Sequence, residues 1–153
     1  MDKTLLDRGF TPQPLSAKQY QDLDEKGFII LKDVIDAEWL HQLRETFEDI
    51  VEVEGKKAGI EAGQMKGVRR LADLVNKGEV FDDIYVHPLL LTAALHIFQG
   101  PFKLGSLNGH DPLPNDGLQA LHGDGPPPKT PDGPFTVVNS MWMLDDFTRE
   151  NGA

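Results

Sequence analysis

The sequence predicts an α+β chain in which amino-terminal helices precede a run of short antiparallel strands. Three observations carry this. Apolar residues recur at helical spacing through much of the first hundred residues, each run bracketed by start and stop signals. After Gly100-Pro101 the pattern changes to short apolar stretches separated by turn residues, and no internal repeat is present. The length of 153 residues, 39% of them hydrophobic, suffices for one domain with its own core.

Residues 1–15 carry Pro12 and Pro14 and no period, which predicts a loosely held arm ahead of a single domain over 16–153. Ser16 and Gln19 have the spacing of a capping box, so a helix is expected to Lys26, stopped by Gly27. Phe28-Ile29-Ile30-Leu31 then reads as a buried strand. Asp36 is suited to cap a helix over 36–53, with Trp39, Leu40, Leu43, Phe47, Ile50 and Val51 on its apolar face. The Glu and Asp residues of the opposite face read as solvated. The Gly-rich, charged stretch Glu54 to Lys66 predicts a loop or a frayed helix end. A third helix is expected over 88–98, because Pro88 suits a first helical position and Gly100-Pro101 closes the run.

Beyond Pro101 the candidate strands are Phe102–Leu107, Leu118–His122 and Phe135–Leu144. Loops over 111–117 and 125–134 divide them. The second, Pro-rich loop reads as a stiff lid or connection beside the residues before it, the alternative being a polyproline ligand for a partner. Glu150-Asn151-Gly152-Ala153 is a turn signal directly after an apolar strand, where a return strand is expected, so the ending reads as a truncation.

Fifteen basic against 25 acidic residues give a formal net charge of -10, which disfavours nucleic acid and anionic membrane surfaces as partners. Without cysteine, any metal must rest on His, Asp, Glu and water. The charged start, Met1 to Arg8, does not suit a signal peptide, and no later apolar run is read as membrane-spanning, so a cytoplasmic protein is expected.

His122-Gly123-Asp124 is the sharpest chemical signal. Side chains two apart on an extended segment share a face and can converge on one ion, and a second His would complete the facial triad of a non-haem iron site. The alternative is a surface strand end whose His and Asp bond to each other.

Gly117-Leu118-Gln119-Ala120-Leu121-His122-Gly123-Asp124 resembles the metal-binding strand of the phytanoyl-CoA dioxygenase family. Trp142 to Ala153 resembles the strand and turn that follow it, and Gly27 to Val34 with the helix from Asp36 resembles the family's opening. The resemblance implies a double-stranded β-helix (a jelly roll, cupin-like) buttressed by the amino-terminal helices, here partial, with its carboxy-terminal strands missing. It implies an Fe(II)- and 2-oxoglutarate-dependent dioxygenase that uses O2 to hydroxylate a small-molecule substrate, releasing succinate and CO2. His122 and Asp124 match the first two iron ligands. Asn108 and Gln119 resemble positions whose amides lie near 2-oxoglutarate, and Trp142 can flank the cosubstrate or belong to the core. Arg69-Arg70 can supply a cation to an anionic ligand or form surface salt bridges.

The family pattern continues to a second His and then an Arg that pairs with 2-oxoglutarate, and no His follows His122 here. His41, His87 and His96 read as packing or capping residues, and His110 is the remaining candidate for a third ligand. The chain alone is therefore expected to bind iron weakly. A non-catalytic jelly-roll module that binds a ligand, or regulates, is the rival reading. No motif names the substrate or the oligomeric state.

Overall fold

Ser16 starts the first helix by a reciprocal capping box, its side chain accepting from the Gln19 amide while Gln19 Oε1 accepts from Ser16 N at 2.7 Å. The computed structural model describes residues 11, 13–126, 130 and 133–151. Most of the expected arm, and Pro127 to Lys129 with Pro131 and Asp132 of the Pro-rich loop, lie outside these residues. Helix α1 spans Ala17–Lys26 and ends on Gly27, whose φ of 79° and N–H to Leu23 O form a left-handed cap. Helix α2, Ala37–Glu54, begins where the Asp36 carboxylate accepts from Trp39 N, and buries Leu43 and Phe47.

Two 3₁₀ turns, Gly55–Lys57 and Ile60–Ala62, occupy the stretch expected to be loop or frayed helix. Strand β1, Val68–Leu71, follows, then 3₁₀ turns at Leu74–Asn76 and Glu79–Phe81, and the single turn α3, Asp82–Tyr85. Helix α4, Pro88–Phe98, carries Pro at its start and is capped by His87. Strand β2, Gly109–Pro112, pairs antiparallel with β1, placing Arg69 opposite Asp111 and Arg70 opposite His110. Leu74 N donates to Leu107 O at one end of the ladder, and Leu113 N to Gly67 O at the other.

The three expected helices form, and the protein is mixed: helices with a small two-stranded sheet. The strands differ from expectation. Phe28–Leu31 is neither a strand nor buried, since Phe28 and Ile30 are exposed. Phe102–Leu107, Leu118–His122 and Phe135–Leu144 form no ladder among the described residues. Apolar composition suits a strand, but a strand also needs a neighbouring strand to pair with, and among the described residues these segments join no sheet. The sheet forms instead at Arg69-Arg70, expected either to supply a cation or to form surface salt bridges, and at Gly109–Pro112, where a loop is expected. Gly109 is required there by packing: a Cβ would lie 2.5 Å from Phe47 Cε2.

The chain forms two compact units interleaved in sequence. One comprises the described residues up to Val34 with Ile84–Lys103 and His122–Ser140. Its buried residues are Leu15, Ile84, Thr92, Ala93 and Ala94, so Leu15 of the expected arm is held in a core. His96 Nε2 lies 2.7 Å from Asp24 Oδ1 and its ring 4.8 Å from that of Tyr20, fastening α1 to α4. The other unit comprises Ile35–Asp83 and Leu104–Leu121 with the described residues from Met141. It buries Leu43, Phe47, Leu71, Ala72, Leu74 and Phe81.

The stretch Glu79–Phe98 is 20 residues long and contains an 18-residue window of mean hydropathy 1.2, which satisfies the length and composition of a membrane span and corrects the expectation that no run does. It is broken between α3 and α4 by a bend at Val86-His87, which opens the backbone ladder that a spanning helix keeps closed.

Candidate functional site

His122 and Asp124 lie on an extended segment that bends at Asp124-Gly125. Their side chains point to the same side, with His122 Nε2 3.2 Å from Asp124 Oδ1. Two donors about 2.1 Å from one ion and at right angles to each other are roughly 3 Å apart, so the pair has the separation of adjacent ligands. The distance also serves a direct hydrogen bond. Both side chains are about half exposed, 54% and 60%, which leaves room for further ligands from solution. Among the described residues no group of three or more His, Asp or Glu side chains is placed to hold a metal.

Asn139, for which the sequence alone predicts no role, completes the local geometry. Its Nδ2 donates to Asp124 Oδ2 at 2.5 Å, on the oxygen not facing His122. The readable signal was an amide inside the apolar run Val137-Val138-Asn139-Ser140-Met141. Close packing brings the two segments together, because a Cβ on Gly125 would meet Val137 Cγ2 at 2.7 Å. Gly123 has no such need: a Cβ there would come only within 3.7 Å of Gly125 O.

The other candidate residues belong to the second unit. Asn108 Nδ2 donates to Ser106 Oγ at 3.4 Å, and Gln119 Nε2 to Met65 Sδ at 3.4 Å. Trp142 packs edge-on to Trp39, with ring centroids 5.5 Å apart, and Trp39 Nε1 donates to Val80 O. Arg69 and Arg70 part company. Arg69 forks onto both Glu48 oxygens and also bonds Asp111 Oδ2 at 2.6 Å, with its guanidinium 5.7 Å from the Phe47 ring centroid. Its hydrogen bonds to Glu48 and then Asp111 hold its pKa above the ordinary value, and Glu48 is lowered in turn by the bond from Arg69. Arg70 donates through Nη1 to Gly63 O at 3.0 Å, while its Nε is buried with no hydrogen-bond partner. It lines a cleft of about 320 Å³ together with Val51, Gln64, Met65 and Val68.

The remaining histidines have structural partners. His41 pairs with Glu45 at 3.4 Å, and His87 Nδ1 accepts from Leu89 N as the cap of α4. His110 lies on β2 opposite Arg70, and burial of part of its ring, then the Arg70 charge, lower its pKa.

No curated protein and no solved structure matches the chain. The family model described as phytanoyl-CoA dioxygenase (PhyH) matches residues 23–153, a span that includes both His122-Gly123-Asp124 and the Asn139 segment. The chain belongs to the phytanoyl-CoA dioxygenase family.

Proposed function

We propose that this chain is part of an Fe(II)- and 2-oxoglutarate-dependent dioxygenase that hydroxylates a small organic substrate, and that its extended segments belong to a jelly-roll domain. Family membership supports an oxygenase, and the observation that carries the metal site is the 3.2 Å approach of His122 Nε2 to Asp124 Oδ1. Neutral imidazole and carboxylate form a donor set suited to a ferrous ion. Such an ion supplies the redox chemistry that couples decarboxylation of 2-oxoglutarate to hydroxylation. The residues themselves bind and orient. His122 and Asp124 would hold the ion, and their half-exposed side chains leave room for further ligands from solution.

Of the two arginines, Arg70 has the freer guanidinium for an anionic ligand, because Arg69 is committed to two carboxylates while Arg70 lines a cleft and donates to one backbone carbonyl. Gln119 donates to Met65, one of the residues lining that cleft. Asn108 and Trp142 complete the proposed cosubstrate residues. The net charge of -10 favours small molecules over nucleic acid as substrates, and we place the protein in the cytoplasm.

The test is Fe(II)-dependent succinate formation and anaerobic Fe(II) binding by the chain and by His122→Ala and Asp124→Asn. Weak Fe(II) binding that both substitutions abolish is expected, with little coupled turnover from two protein donors. Binding unchanged by both would remove the metal site. The rival reading, a binding or regulatory module without turnover, draws on the absence of a third donor among the described residues, and is favoured if ligand binds without any succinate being formed.

A further inference from the structure

Asp124 offers its two carboxylate oxygens to different partners, Oδ1 to His122 Nε2 at 3.2 Å and Oδ2 to Asn139 Nδ2 at 2.5 Å. A carboxylate with both oxygens open can clasp a large, flexible cation such as Ca²⁺ through two bonds, whereas one whose second oxygen is engaged presents a single donor. An amide suits that engagement, since it donates a hydrogen bond without adding charge beside the ion. Asn139 is brought to this position by its backbone: the Gly125–Val137 contact, too close for a Cβ on Gly125, runs the two segments side by side.

We infer that Asn139 is a positioning residue that fixes Asp124 as a one-oxygen ligand and so biases the site towards small divalent transition-metal ions over Ca²⁺. The inference rests on the metal-binding reading of His122 and Asp124. It adds a residue and a selectivity that this reading does not contain. Metal-site partners of this kind typically change affinity by roughly 10- to 100-fold when removed.

The experiment uses the 153-residue chain, with Mn(II) followed by its electron paramagnetic resonance and Ca(II) by competition against it. Asn139→Ala is expected to weaken Mn(II) by about tenfold or more while Ca(II) weakens less, so that the preference for Mn(II) falls. Asn139→Gln, which keeps the amide one methylene further out, should recover part of the preference. A second readout needs no metal: the Asn139 side-chain amide resonances should move on Asp124→Asn substitution, because the acceptor changes from a carboxylate to an amide. An Asn139→Ala chain with unchanged Mn(II) affinity and selectivity, while His122→Ala abolishes binding, overturns this inference alone. If His122→Ala and Asp124→Asn leave Mn(II) binding unchanged, or the unsubstituted chain binds none, the metal-site reading falls and the inference falls with it. Asn139 amide resonances indifferent to Asp124→Asn would also overturn it.

Discussion

Single residues in this chain divide sharply by what their neighbours leave free. Arg69 and Arg70 are adjacent in sequence, yet one is saturated by Glu48 and Asp111 and the other keeps a buried, unpaired Nε. Their substitutions should therefore separate. Arg70→Ala is expected to weaken 2-oxoglutarate by roughly ten- to a hundredfold, in the range of a lost charged hydrogen bond, with the melting temperature little changed. Arg69→Ala should leave that affinity alone and cost about 1 kcal/mol of stability, because its partners are exposed enough for solvent to screen them. Calorimetric titration and thermal denaturation of the two variants check both. A similar contrast holds between the glycines of the His122 segment. Gly123→Ala should be tolerated, whereas Gly125→Ala must displace Val137 and with it the segment bearing Asn139, so Mn(II) affinity should fall in the second only. Equal affinities would show that the two segments are not coupled. The sequence exposed His122 and Asp124 because they lie two residues apart, but it hid Asn139, whose partner is 15 residues away.

At the level of elements, the helices were legible and the sheet was not. A helix satisfies its backbone within itself, so Ser16 with Gln19, Asp36, and Pro88 sufficed to mark its start. A strand takes half its definition from another segment, and here that partner selects Arg69-Arg70 and Gly109-His110 over the more apolar candidates. Gly109→Ala tests how closely the sheet sits on α2: its Cβ would enter the Phe47 ring, so a loss of about 1–3 kcal/mol is expected by denaturant titration. Stability of this element should also fall in mild acid. His110 has its pKa lowered by burial and by Arg70, so the unfolded chain binds the proton more readily, and stability is lost as pH falls through the ordinary value of 6.5. Glu48, lowered by the bond from Arg69, adds a second loss below its ordinary 4.5. His110→Gln should remove the upper step and leave the lower; a pH profile in which both persist would place the upper step elsewhere.

For the molecule as a whole, the apolar residues that found no partner are as informative as those that did. Leu118 and Leu121 are 98% and 105% exposed, on the segment that leads into His122. Replacing both by Ser should raise solubility and reduce concentration-dependent sedimentation while leaving the unfolding free energy within about 0.5 kcal/mol, as surface changes do. A marked loss of stability would show that these side chains are buried in solution. The ladder between β1 and β2 bears on how the chain reaches this state. Its two strands are joined through residues 72–108, a stretch that includes α4 and reaches into the other unit. Closing a loop of that length costs about 3 kcal/mol of chain entropy before any pairing offsets it. The ladder is therefore expected to form in the rate-limiting step, whereas α1 and α4 can each form from local contacts. Weakening the ladder should lower the refolding rate, and weakening the His96–Asp24 contact should chiefly raise the unfolding rate, a division that the two limbs of a chevron plot would display.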